Sequence, residues 1–165
     1  MRPEVFEPVD VVVAVVCATA LATDLSRQRV PNALSFSAML LGVLYWANEG
    51  DVLFALRGIG LAFLCLFPGW IVGAIRAGDA KLMMAVGAFY GGSLVVRASL
   101  FTYALAVPFG VIVLLKHGKL GQVVTAAKAA LTSAPPIPQD DRVVVAFVPV
   151  VIAGILLART TELFA

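Results

Sequence analysis

The stretch VLFALRGIGLAFLCLFPGWIVGAI, residues 52–75, carries one charge, Arg57, and runs directly into Arg76-Ala77-Gly78-Asp79-Ala80-Lys81. A continuous apolar run at or beyond the roughly 20 residues needed to cross hydrocarbon is the signature of a membrane-spanning helix. The run therefore delivers Asp79 to a membrane edge. Arg57 lies near the opposite end, where a long side chain can carry its charge out to water.

The rest of the chain follows the same pattern. Of its 165 residues 61% are hydrophobic and 13% charged, with mean hydropathy +1.00, against roughly a quarter charged in soluble domains. Apolar stretches fall at about residues 9–23, 33–47, 52–75, 82–96, 98–115 and 143–157. The expected fold is an all-α polytopic membrane protein, one domain over residues 1–165, with six transmembrane helices and an active site facing the cytoplasm. Several stretches fall short of a full crossing, so their helices must extend into polar flanks or the bilayer must thin. The first stretch resembles a secretory signal, but Glu4, Glu7 and Asp10 outnumber Arg2 ahead of it. It is read as a permanent span.

If six spans alternate, Arg27, Arg29, Arg76, Lys81, Lys116, Lys119, Lys128 and Arg142 share one side, and Arg2, Arg97 and Arg159 the other. The first side is the cytoplasmic one by the positive-inside rule, which puts both termini outside. The expected location is the cytoplasmic (inner) membrane, in contact with its lipids. The connection at 116–142 repeats Leu120, Val123, Val124, Ala127 and Leu131 at helical spacing before Pro135, Pro136 and Pro138. It is expected to lie as an amphipathic helix on the cytoplasmic surface.

The formal net charge of +2 and the absence of a dense basic block argue against nucleic acid as a partner. Cys17 and Cys65 sit inside apolar runs without CxxC spacing, so they read as small hydrophobes. No metal or other cofactor is expected.

Two acids stand out by position. Asp24 ends the first span in Thr23-Asp24-Leu25-Ser26-Arg27-Gln28-Arg29-Val30-Pro31-Asn32, and Asp79 follows the third. Alternation puts both on one face. Ionisable side chains beside hydrocarbon tend to face a bundle interior or a water-filled cavity and to have functional roles. Two carboxylates brought together share a proton, the state with which an aspartic protease activates water. An ordinary alternative is that Asp24 pairs with Arg27 or Arg29, and Asp79 with Lys81. Gly78 allows close backbone approach or an exit from the helix beside Asp79. Pro31 and Asn32 mark where the second helix begins.

Asp24 with Arg27, Arg29 and Val30-Pro31-Asn32, and then Gly78-Asp79-Ala80-Lys81-Leu82, resemble the two signatures of the type IV prepilin peptidases, which are GxGD membrane aspartic proteases. Order, spacing and the six-span plan extend the resemblance over nearly the whole chain. Phe67-Pro68-Gly69 and the segment from Gly87 to Gly92 are similar to the small forms associated with tight-adherence pili. The resemblance implies that Asp24 and Asp79 are the catalytic pair, supported by Gly78, Lys81, Arg27, Arg29, Pro31 and Asn32. It implies removal of a short basic leader from pilin-like precursors at the cytoplasmic face, in association with pilus or secretion machinery. The sequence departs from the pattern at Arg76, which replaces the first glycine of GxGD, and at Val30 and Ala80, where larger aliphatic residues are common. The cysteine-bearing insertion of larger members is also missing, so methyl transfer is not implied.

Other readings come from the same residues. Asp140 and Asp141 can attract a basic leader or pair with Arg142, and Lys81 can tune the neighbouring acid or anchor to lipid phosphate. His117 reads as an interfacial polar residue. A proton-coupled transporter is the rival function for a carboxylate pair, although a relay would place its acids nearer the bilayer centre. A silent pilus-assembly scaffold would need neither acid.

Overall fold

The computed structural model describes residues 7–71, 75–116 and 147–163. The regular secondary structure of these residues is all helix, in α1 (Pro8–Arg27), α2 (Asn32–Asn48), α3 (Val52–Ile71), α4 (Ala77–Lys116) and α5 (Val148–Leu163). The expected surface helix at 116–142, with Asp140 and Asp141, falls outside them except for Lys116.

Local chemistry sets the ends of α1. Pro8 occupies its first turn, and the Asp10 side chain accepts the Glu7 N–H at 3.1 Å while the Asp10 N–H donates to the Glu7 carbonyl at 2.8 Å. At the other end Gln28 turns left-handed, with φ 51°, and its N–H bonds the Asp24 carbonyl at 2.8 Å. The buried face runs Val9, Val13, Val16, Cys17, Ala20, Asp24, so the carboxylate continues an apolar stripe. Extended backbone at Pro31 then admits α2.

Small residues bring α3 and α4 together. A Cβ on Gly58 would lie 1.9 Å from the Gly87 carbonyl oxygen, and one on Gly87 would lie 2.5 Å from that of Gly58. Backbone thus meets backbone, the contact that glycine permits between membrane helices.

Within α4 the helix breaks at Gly91, at φ 74° and ψ −173°, a conformation open essentially to glycine. Before the break, Gly87 faces Gly58 and Gly91 faces Phe54, so this arm runs antiparallel to α3. After it, Gly92 faces Leu61 and the Tyr103 hydroxyl bonds the Cys65 carbonyl at 2.9 Å, so the second arm runs parallel to α3. The chain doubles back at Gly91. The expected boundary between fourth and fifth helices lay at Arg97, and it is corrected to this earlier glycine because only a positive-φ residue makes the reversal. Arg97 belongs to the second arm, where its Nε donates back to the Ser93 carbonyl at 3.4 Å. The last helix likewise runs beyond the expected 157, its Thr160 and Thr161 hydroxyls bonding the Leu157 and Ala158 carbonyls.

Among the described residues six helical segments therefore pass alternately between two ends. One end collects Asp24, Asn32, Arg76, Asp79, Lys81 and the start of α5. The other collects Asp10, Trp46, Phe54, Phe89 and Arg159. Leu66, Leu82, Met83, Leu94, Val95 and Val151 fill the centre, while Leu40, Leu44, Leu53, Leu64, Leu100 and Leu156 face outward. Helices α1 and α3 have the length and apolarity to cross a membrane, α4 has them only when residues 77–110 are counted across the break at Gly91, and α5 is a shorter apolar helix.

Candidate active site

Asp24 and Asp79 reach one site by different routes. Asp24 projects from the buried face of α1, and its Oδ2 accepts the Val148 N–H at 3.0 Å. That donor belongs to the first turn of α5, where backbone N–H groups have no partner within the helix. Asp79 lies in the first turn of α4, and its Oδ2 accepts the Arg76 N–H at 3.3 Å, closing that helix start. Each residue is 1% exposed.

Arg76 lies between them. Its Nη2 is 3.4 Å from Asp24 Oδ1 and its Nε is 4.0 Å from Asp79 Oδ2. Its Nη1 donates to the Gln28 carbonyl at 2.5 Å, so the guanidinium is anchored on the cap of α1. One cation thus faces two buried carboxylates. A cavity of about 320 Å³ opens beside the three, walled by the α1–α2 connection from Gln28 to Asn32 and by the start of α4.

The supporting residues divide. Arg29, Pro31, Asn32, Gly78 and Lys81 line this cavity. Lys81 Nζ donates to Asn32 Oδ1 at 2.9 Å and stands 5.3 Å from the centre of the Phe36 ring. Arg27 is exposed in the last turn of α1, where a cation complements the helix dipole. Among the described residues neither Arg27 nor Arg29 forms an ion pair with Asp24, and Lys81 forms none with Asp79. Gly78 packs on Val30, where an added Cβ would stand at 3.4 Å, an ordinary contact. Gly78 lies within the first turn of α4, and the space beside it would admit a Cβ, so neither close backbone approach nor an exit from the helix is seen at this position.

Sequence reading missed three participants. Arg76 registered as a departure from a motif, and neither the Gln28 carbonyl nor the Val148 N–H carries a residue-type signal at all. A second cavity, of about 240 Å³, adjoins the first through shared Ala77 and Lys81. Its walls are apolar and aromatic, with Phe36, Phe63, Phe67 and Trp70. Among the described residues no group of three or more His, Cys, Asp or Glu side chains is placed to hold a metal ion.

Two buried carboxylates on one cavity can bind and orient a water molecule and pass protons to and from a reacting carbonyl. No curated protein and no solved structure matches the chain significantly. Residues 11–115 match the type IV leader peptidase family, and the chain belongs to that family.

Proposed function

We propose that this member of the type IV leader peptidase family is an aspartic endopeptidase that uses Asp24 and Asp79 to cut the basic leader from pilin-like precursors. The observation that carries the reading is the convergence of two buried carboxylates from different helices on one cavity and one guanidinium. With one proton held between them, the ionised acid takes a proton from water as its oxygen attacks the scissile carbonyl carbon. The protonated acid hydrogen-bonds the carbonyl oxygen as negative charge develops there. Collapse of the tetrahedral intermediate breaks the C–N bond while the leaving nitrogen receives a proton.

The surroundings suit such a substrate. The adjoining aromatic cavity gives the apolar segment that follows the cut a place to lie. Alternation of the six helical segments, combined with the basic residues near Asp24 and Asp79, supports six membrane crossings with this site at the cytoplasmic face.

Asp24→Asn and Asp79→Asn are each expected to abolish leader release from a purified precursor while the protein remains folded and membrane-inserted. Asparagine keeps the shape but cannot exchange the proton. Glutamate at either position should rescue poorly, because a carboxyl group displaced by about an ångström can cost on the order of 100-fold in rate. Normal cleavage by either asparagine variant would reject the dyad. A proton relay, by contrast, predicts transport without cleavage in the wild type.

A further inference from the structure

We propose that Arg76 is a positioning residue for the acid pair, a built-in counter-ion that fixes how Asp24 and Asp79 face the cavity. This inference rests on the reading of those two residues as the catalytic pair. Three observations carry it. The guanidinium touches the Gln28 carbonyl through Nη1, faces Asp24 through Nη2 and faces Asp79 through Nε, so its different nitrogens address three groups on two segments of chain. The Arg76 backbone N–H also binds Asp79 Oδ2, which ties the arginine and the acid into one turn. Both acids are almost fully buried, whereas the Arg76 side chain is 36% exposed and lines the cavity.

The distances define the role. At 3.4 Å and 4.0 Å the guanidinium is not locked bidentate on either acid. Of these three contacts the shortest goes to the neutral Gln28 carbonyl, which holds the cation in place while leaving carboxylate lone pairs for water and substrate. Two like charges this deeply buried repel each other and resist close approach. A cation shared between them lowers that repulsion and sets their separation. A glycine at this position supplies none of these contacts, so the pair in this chain depends on a side chain that the GxGD pattern does not provide.

Lysine keeps the charge but has a single nitrogen, and it cannot reach the carbonyl and both acids together. Glutamine keeps polarity without charge. Leader release by purified full-length Arg76→Gln is expected to fall on the order of 100-fold in kcat, the scale of misplaced catalytic groups, with KM changed less than about threefold. Arg76→Lys should recover at least about tenfold of that loss. Arg76→Gly should be as impaired as the glutamine variant and should regain activity with tens of millimolar guanidinium, far below denaturing concentrations, and not with equal sodium chloride.

Wild-type or raised kcat in Arg76→Gln or Arg76→Gly would overturn the inference, as would a defect confined to KM, which would make Arg76 a substrate contact. A defect that tracks lowered thermal stability and ignores both lysine and guanidinium would also overturn it, as plain structural support. Inactive aspartate-to-asparagine variants beside a normal Arg76→Gln would defeat this inference alone. Active asparagine variants would defeat the dyad itself.

Discussion

Asp24 serves two groups at once, since one oxygen faces Arg76 and the other caps α5 through the Val148 N–H. Removing the side chain leaves a buried donor without a partner, which typically costs about 1–3 kcal/mol. Asp24→Ala is therefore expected to unfold at lower temperature than Asp24→Asn, whose amide oxygen still accepts that bond, although neither should cleave precursor. Equal melting temperatures would show that the cap contributes little. The acid itself was legible in the sequence, because a carboxylate at the end of an apolar span stands out by position, and the structure then places it on the buried stripe of α1. Asp79 was legible for a similar reason, being an acid at a helix start beyond an apolar run. Arg76 was not. Its role depends on the Gln28 carbonyl and the Asp24 carboxylate arriving beside it from a distant helix, and no spacing along the chain encodes that meeting.

Among the helices, the reversal at Gly91 separates what periodicity can show from what it cannot. The apolar stretches located every helical segment among the described residues, but charge pointed to Arg97 as the turn between two of them. Turns in water declare themselves by polar residues that bind solvent. Here the Trp46 indole N–H donates to the Phe89 carbonyl at 2.9 Å beside the turn, so the protein itself serves backbone exposed by the break. A turn served in this way needs a permissive φ and little polarity. Gly91→Ala would combine a forbidden conformation with a Cβ 2.3 Å from the Phe54 ring, whereas Gly60 has nothing within 4 Å of an added Cβ. The first substitution is expected to destabilise by at least about 1–3 kcal/mol. The second should be neutral or stabilise by up to about 1 kcal/mol, as alanine in a helix interior does. Thermal unfolding in detergent measures both, and equal behaviour would remove Gly91 from its assigned role in the reversal.

Across the whole bundle, the two ends differ in kind. The end away from Asp24 and Asp79 is closed by Asp10, which accepts from Arg159 and from the Tyr90 hydroxyl and so joins α1, α4 and α5. The other end is opened by the cavity. The first arm of α4, residues 77–90, is about 21 Å long at 1.5 Å per residue, short of the roughly 30 Å hydrocarbon thickness. If this arm crosses, it thins the bilayer around it or leaves an end submerged, which would put Asp79, in its first turn, near or below the hydrocarbon boundary. A precursor whose apolar helix is already in the membrane could then present its scissile bond without leaving the bilayer. The orientation of the bundle decides from which compartment water and leader arrive. With Cys17 and Cys65 replaced, Ala33→Cys at the Asp24 end should resist an impermeant thiol reagent in intact cells and react after permeabilisation. Glu49→Cys, at the far end of the same helix, should react in both. Because α2 packs against both α3 and α4, and α4 against α5, the pair of labels orients the described helices together. The reverse pattern would put the acids outside the cell and exclude cleavage at the cytoplasmic face. Free labelling at both positions in intact cells would mean that α2 does not cross the membrane, and the alternation of spans would fail with it.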